Sequence, residues 1–246
     1  MAGHSKWKNI QHRKGKQDLL RGKLFTKLSR EIFVATRLGG GNPETNGRLK
    51  SAIQKARAAN MPLENIERTI KKALGELEGV QYEEITYEGY GPGGTAVMVE
   101  VLTDNRNRSA AEVRHVFSKR GGNLGETGCV SWMFQRKGVL AIDKENAEMS
   151  EDDLMMLALE AGAEDFRSEE THYEIVTTPE DFQAVYEALE REGLSFTTAE
   201  VTYVPLNTVR LSGPEAEKMM DLLEALEDLD DVQNVYSNAE FDVPEA

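Results

Sequence analysis

The stretch Ile85–Asp104, ITYEGYGPGGTAVMVEVLTD, is where the sequence changes from helical to extended character. Its two halves have the apolar pattern of β-strands and flank a turn segment rich in glycine. Gly89–Gly94 has the letters G-x-G-x-x-G of a dinucleotide-binding loop, but that loop leads into a helix, and here a strand pattern follows. Because glycine tolerates the positive φ angles of tight turns, the stretch predicts a β-hairpin.

The sequence before this hairpin predicts three short amphipathic helices. Apolar residues recur at helical spacing in 21–38, and further helices are predicted for about 45–59 and 62–74. None of these helices can bury its apolar face alone, so we expect a three-helix bundle. The first twenty residues lack this periodicity and predict a mobile arm.

The sequence after the hairpin predicts two further groups of elements. Residues 135–205 have the order strand, helix, strand, strand, helix, strand, which is the ferredoxin-like order. The pieces on either side of it are incomplete as domains, so we expect them to pair with each other. The predicted fold class is α+β multidomain, with a ferredoxin-like βαββαβ domain inserted into an α+β domain. The predicted bounds are 1–20 for a flexible basic arm, 21–78 for the helical bundle, 79–134 plus 206–240 for the α+β domain, and 135–205 for the ferredoxin-like domain.

Local signals predict several boundaries in this region. The S-x-x-E patterns that begin at Ser109 and Ser212 have the form of a capping box, and Ser150 precedes a helical pattern as an N-cap. The letters VSWMF at 130–134 predict a short strand.

The net charge of −14 conceals two opposed segments. Residues 1–72 hold 17 Lys and Arg against 5 Asp and Glu, a formal charge of +12. The remaining residues hold 12 basic and 38 acidic side chains, a formal charge of −26. Such a division is typical of proteins that approach a polyanion through one end.

The first thirty residues contain nine Lys and Arg and a single acid. Lys and Arg bind nucleic acid without regard to sequence by neutralising phosphates and releasing counterions. Trp7 offers a flat face for stacking on a base, although it could instead anchor the arm against the bundle. We predict a nucleic-acid-binding arm in preference to a solvated tail. Its candidate residues are Lys6, Trp7, Lys8, His12, Arg13, Lys14, Lys16, Arg21, Lys23, Lys27 and Arg30.

A second basic group follows the hairpin, with two arginines just before a predicted helix and three cations on it. Helix N-termini favour anions, and arginine can hold a phosphate with two hydrogen bonds. Surface ion pairs with neighbouring acids explain the group equally well, so both interpretations stay open. The residues are Arg106, Arg108, Arg114, Lys119 and Arg120.

The sequence lacks the patterns that indicate an enzyme. Cys129 is the lone cysteine, and the four histidines are scattered without a metal-ligand spacing. There is no serine elbow and no Walker loop, and the acidic clusters fit solvated helix ends. We therefore predict no catalytic residues, no metal, no cofactor and no small-molecule substrate. A hydrolase using paired carboxylates and an adaptor using the acidic half are the alternative classes.

No apolar run approaches the roughly 18 to 20 residues of a membrane span, and the start lacks the apolar core of a secretory signal. We expect a cytoplasmic protein without a membrane partner.

Several long motifs carry a family resemblance. The stretches MAGHSKWKNIQHRKGKQD, LGGGNPETN, YEGYGPGGTA, DNRNRSAAEVRHVFSK and GGNLGETGCVSWMF together resemble the YebC/PmpR family over essentially the whole chain. The resemblance implies a three-helix domain, an α+β domain with a ferredoxin-like insertion, and the cytoplasm of a bacterium. It also implies a DNA-binding regulator of transcription. The alternative within the family is a ribosome-associated factor that relieves stalling at consecutive prolines, and a mitochondrial relative activates translation of cytochrome c oxidase.

The residues themselves do not choose between these targets. No helix-turn-helix with a reading helix is evident, which weakens sequence-specific DNA readout. A basic arm with one aromatic residue suits folded RNA at least as well. We therefore expect a non-enzymatic, nucleic-acid-binding regulator of gene expression, whose partner is promoter DNA or ribosomal RNA and could include the ribosome.

Overall fold

The computed structural model describes residues 17–75, 79 and 81–242. Residues 1–16 of the predicted arm lie outside the described residues, whereas residues 17–20 are helical, so the first helix begins earlier than predicted. The helices are α1 (Gln17–Gly39), α2 (Gly47–Ala58), α3 (Leu63–Gly75), α4 (Arg106–Lys119), α5 (Glu151–Ala161), α6 (Phe182–Arg191) and α7 (Gly213–Glu227). The strands are β1 (Glu83–Gly91), β2 (Thr95–Thr103), β3 (Asn123–Leu124), β4 (Phe134–Asp143), β5 (Asp165–Ser168), β6 (His172–Thr177), β7 (Thr198–Pro205), β8 (Val209–Leu211), β9 (Val232–Ser237) and β10 (Ala239–Phe241).

The three predicted N-terminal helices all form, with bounds within two residues of the prediction for α2 and α3 and an earlier start for α1. Asn46 is the N-cap of α2: its side-chain oxygen accepts a hydrogen bond from the Leu49 N–H, and its amide donates to the carbonyls of Ala35 and Gly40. One polar side chain thus fixes the turn from α1 to α2. The predicted apolar face of α3 is buried only at its centre, because Ile66 is 1% exposed whereas Leu63 at the helix start is 60% exposed.

The predicted glycine-turn hairpin is confirmed as β1 and β2, paired antiparallel from Glu83 with Thr103 to Gly91 with Thr95. Its turn contains Gly93 and Gly94, both at positive φ. The sheet has the order β3-β1-β2-β9. Alternate residues of β2 face helices α4 and α7 and form a core with them, which includes Val97, Val99, Val101, Val113, Phe117, Met219, Leu222 and Leu226. Strands β8 and β10 pair separately in parallel.

The elements from β4 to β7 follow the predicted order βαββαβ, and their strands are ordered β5-β6-β4-β7. Helices α5 and α6 pack on one face of this sheet around a second core, which includes Leu140, Ile142, Leu154, Ala158, Ile175, Val185 and Leu189. The N-cap at Ser150 is confirmed, since its hydroxyl accepts a hydrogen bond from the Asp153 N–H.

Three local predictions are wrong. Helix α4 begins at Arg106 with Asn105 as its N-cap, because the Ser109 hydroxyl is instead buried in a hydrogen bond to Asp231. Ser212 precedes α7 but makes no side-chain capping bond. The predicted strand VSWMF is a 3₁₀ turn over Ser131–Met133, because the backbone there bends towards a buried carboxylate described below.

The chain divides into two compact units. One combines the described residues of 1–27, 78–135 and 204–246, and the other combines those of 28–77 with 136–203. In the second unit, α2 contacts the ferredoxin-like segment through Lys55 and Glu200, 3.0 Å apart, and through Gln54 and Gln183, also 3.0 Å apart. Most of the helical bundle therefore belongs to one compact unit with the βαββαβ segment.

Candidate nucleic-acid interface

Two of the predicted basic residues on α1 contact the C-terminal end of α7. The Lys23 ammonium donates a hydrogen bond to the Asp228 carbonyl at 3.3 Å, and the Lys27 ammonium donates to the Glu227 carbonyl. Cations are favoured there because the last carbonyls of a helix lack partners and carry partial negative charge. Burial lowers the pKa of Lys27, while the nearby Glu227 and Asp228 oppose that shift. Both side chains therefore stabilise the fold, whatever else they bind.

Of the other candidates in the N-terminal segment, the structure describes the side chain of Arg30 alone. Arg30 is half-buried on α1. The side chain of Arg21 and the whole of residues 1–16 lie outside the described part of the chain, and with them the candidates Lys6, Trp7, Lys8, His12, Arg13, Lys14 and Lys16.

At the start of α4, the two arginines form ion pairs. Arg106 lies 3.3 Å from Glu83, and Arg108 lies 2.7 Å from Asp104 and 3.0 Å from Asp231. The bonds to Asp104 and then to Asp231 raise the pKa of the Arg108 guanidinium. The Asp231 side chain is only 5% exposed, so Arg108 compensates a nearly buried carboxylate. For these two arginines, the geometry matches the ion-pair interpretation.

The remaining cations of α4 differ from this pair. Arg114, Lys119 and Arg120 are exposed and, within the described residues, form no ion pair. His115 and Lys119 are four residues apart and share one helix face. The end of α4 is therefore the part of the second basic group that has cations available to phosphates.

This difference predicts opposite outcomes for two variants. Arg108→Gln should lower the free energy of unfolding, because the nearly buried Asp231 is deprived of charged hydrogen bonds. The double variant Lys119→Gln, Arg120→Gln should leave stability within about 0.5 kcal/mol and reduce the salt slope of nucleic-acid binding by up to about 1 for each phosphate that is no longer neutralised. Denaturant unfolding and binding titrations measure the two quantities. Weaker binding by Arg108→Gln at unchanged stability would contradict this assignment.

The glycine-rich segment 121–133, which follows α4, contains features that the sequence did not predict. We call it the aromatic loop. Glu88 on β1 is 3% exposed, and its carboxylate accepts hydrogen bonds from the N–H groups of Gly128 at 2.5 Å, Val130 at 3.1 Å and Ser131 at 2.6 Å. Burial alone would raise the pKa of Glu88, but these three bonds outweigh it and hold that pKa below its usual value. One carboxylate thus fixes the path of the loop.

Two exposed aromatic side chains meet at the carbonyl of Cys129 in this loop. The indole N–H of Trp132 donates to that oxygen at 3.1 Å, and the Tyr90 hydroxyl donates to it at 3.4 Å. Trp132 is 68% exposed. The run GGNLGETG just before it was the sequence signal for a loop.

The described residues offer neither a metal centre nor a membrane span. Among residues 17–75, 79 and 81–242, no three or more His, Cys, Asp and Glu side chains are arranged to bind a metal ion. None of the helices described is both long and apolar enough to cross a membrane.

Comparison with known families matches two profiles to this chain. The profile described as the TACO1/YebC second and third domain matches residues 82–239. The profile described as the TACO1/YebC protein N-terminal domain matches residues 5–76.

Individual relatives match over nearly their whole length. A protein of Natranaerobius thermophilus is 60% identical, and the match covers 98% of this chain and 97% of that protein. A protein of Geobacillus thermodenitrificans is also 60% identical, and the match covers 100% of this chain and 99% of that protein. Both are named "Probable transcriptional regulatory protein". A solved structure from Aquifex aeolicus, described as a conserved hypothetical protein, is 55% identical with a TM-score of 0.83 and covers 96% of both chains.

Proposed function

Because the chain belongs to the TACO1/YebC family, we propose that it is a non-enzymatic regulator of gene expression that acts by binding nucleic acid. The observation that carries the proposal is the segregation of charge, +12 in residues 1–72 against −26 in the rest. The exposed cations at the end of α4 add a second place for phosphates. The acidic remainder limits indiscriminate binding to polyanions.

The relatives are named probable transcriptional regulatory proteins, and a role in transcription favours promoter DNA as the target. DNA could be held through its backbone, by Lys and Arg contacts that carry no sequence information. Ribosomal RNA is the other polyanion that such contacts suit, and a cytoplasmic location fits both. In this proposal the predicted modules keep their roles: the basic arm and bundle approach the nucleic acid, while the α+β and ferredoxin-like parts carry the acidic surface.

Direct binding measurements test the proposal. The full chain should bind both a promoter duplex and a folded RNA. On the duplex, log K should fall as log salt rises with a slope of about −4.5 if five phosphates are neutralised. Absence of binding to either nucleic acid at low salt would contradict the proposal. Promoter protection in cells, compared with copurification with ribosomes, then identifies the physiological target.

A further inference from the structure

Two exposed aromatic side chains, Trp132 of the aromatic loop and Tyr90 of β1, meet at one backbone carbonyl. Trp132 is 68% exposed and Tyr90 is 38% exposed. Both side chains satisfy their polar hydrogens on the Cys129 carbonyl. Their N–H and O–H groups are thus occupied within the protein, and a ligand would meet the flat faces of the rings.

The base of the loop is held firmly. The Glu88 carboxylate fixes the N–H groups of Gly128, Val130 and Ser131, and the Glu88 carbonyl accepts from the Gly125 N–H at 2.8 Å. A binding face that is already in place loses little conformational entropy when a ligand arrives. The loop is thus suited to bind without prior rearrangement.

The surroundings of the rings favour a nucleobase over an apolar protein surface. Around Trp132 the loop exposes polar residues and glycines, among them Glu126, Thr127, Gly128 and Ser131. A protein-docking site is normally centred on an apolar, desolvated core. Stacking by a base needs only a flat π-face, which is why single-stranded nucleic acids bind to isolated aromatic side chains.

Cations lie close to the same place. Asn123 of β3 pairs with Tyr90, and a side chain at Gly122 would lie 2.5 Å from the Tyr90 carbonyl, so this backbone runs against β1. Arg120 is two residues before Gly122, which limits the distance between their Cα atoms to about 7.6 Å. The Arg120 backbone therefore lies near the end of β1 that carries Tyr90, and the side chains of Lys119 and Arg120 are exposed.

We propose that Trp132 and Tyr90 form a stacking platform for an unpaired nucleobase, with Lys119 and Arg120 contacting the adjoining phosphates. The inference deepens the proposed function and rests on it. Because the rings' hydrogen-bonding groups are occupied internally, recognition is by stacking and tolerates different bases. The unpaired base can come from RNA or from an opened DNA strand, since both present the same ring faces.

The test uses the full chain with Trp7→Phe, which leaves Trp132 as the single tryptophan. The probes are a single-stranded RNA, a single-stranded DNA and a duplex of the same sequence. We expect either single strand to quench Trp132 fluorescence and the duplex to leave it nearly unchanged. Quenching by only one of the single strands identifies the source of the base. Equal quenching by the duplex overturns the proposal.

Two substitutions separate stacking from simple apolar contact. Trp132→Leu and Trp132→Phe both remove the indole N–H bond, but only phenylalanine keeps a π-face. In the otherwise unaltered chain, Trp132→Leu should weaken single-strand binding by roughly 5- to 150-fold, the range for the removal of one base stack, and Trp132→Phe by about threefold or less. Met156→Ala, at an exposed apolar residue of α5, is the matched control and should have no effect.

The possible outcomes are distinct. If the unaltered chain binds and the Leu and Phe variants bind equally, the platform is wrong while the proposed function stands. If the unaltered chain binds none of the three probes, both fail. Thermal unfolding of each variant confirms that it is folded.

Discussion

Removal of residues 1–16 is expected to lower the affinity for nucleic acid by between roughly 100- and 1,000-fold at physiological salt. This segment holds five Lys and Arg and no acid. Each phosphate contact contributes about 0.9 to the salt slope on duplex DNA, so five contacts contribute up to about 4.5. The truncated chain should therefore bind weakly and with a shallower salt dependence. Titrations at several salt concentrations measure both effects.

Two controls accompany the truncation. A full-length chain with Lys6, Lys8, Arg13, Lys14 and Lys16 all replaced by glutamine keeps the length of the segment but removes its charge, and it should lose nearly as much affinity. Trp7→Ala keeps the charge and reports stacking alone, with an expected loss of roughly 5- to 150-fold if Trp7 stacks on a base. The buried apolar residues of the described chain begin at Leu28, beyond the deleted segment, so the unfolding midpoint should change little. Full affinity in the truncated chain would refute the role of the segment.

Replacement of Glu88 by alanine is expected to lower the free energy of unfolding by about 2–4 kcal/mol. The change leaves the N–H groups of Gly128, Val130 and Ser131 without their acceptor. A buried donor without a partner, here the Val130 N–H, costs about 1–3 kcal/mol, and the two partly buried donors at Gly128 and Ser131 cost less because water can reach them. Water entering the space left by the side chain keeps the sum below the maximum. Chemical denaturation measures the loss. The aromatic loop should also become mobile, which faster amide exchange at residues 125–131 would reveal.

The pH dependence of Glu88 has a definite sign. Its pKa is lower in the folded chain than in the unfolded one, so its contribution is fully present above the unfolded pKa of about 4.3. The contribution is lost as pH falls from there through the lower folded pKa. Between about pH 5 and pH 3, the free energy of unfolding should therefore fall by less in Glu88→Ala than in the unaltered chain.

The matched control is Glu126→Gln in the same loop. Glu126 is exposed, and its side chain accepts none of the hydrogen bonds that hold the loop, so the loss should stay within about 0.5 kcal/mol. A similar loss for both variants would mean that charge near the loop matters, and not the three hydrogen bonds.

Much of the fold could be predicted because its signals are local. Helical spacing in α1 to α3, the glycine turn between β1 and β2, and the βαββαβ order each depend on residues close together in sequence. The wrong predictions at Ser109 and in the VSWMF segment have a common cause. Both were judged by neighbouring residues, but their hydrogen-bond partners are Asp231 and Glu88, which are distant in the chain.

The sequence predicted which basic residues belong to the candidate interface, but it did not predict which of them make contacts within the protein. Counting charges located the basic residues, but Lys23 and Lys27 contact carbonyls about 200 residues away, and Arg108 pairs with Asp231 across 123 residues. Lys55 likewise pairs with Glu200. Some cations of the basic segment are therefore paired with groups of the acidic segment inside the molecule, and their charge is not available to a nucleic acid.

The sequence by itself determined the family, the types and order of most elements, and the segregation of charge, because composition and periodicity depend on the chain alone. The tertiary structure decided which cations are committed to the fold and which remain exposed at the end of α4. It also decided that Glu88 is a buried acceptor and that Trp132 faces solvent. Hydrogen bonding and burial depend on which groups are close together in space. The groups that decided these outcomes are far apart in the sequence, so local sequence patterns could not predict their contacts.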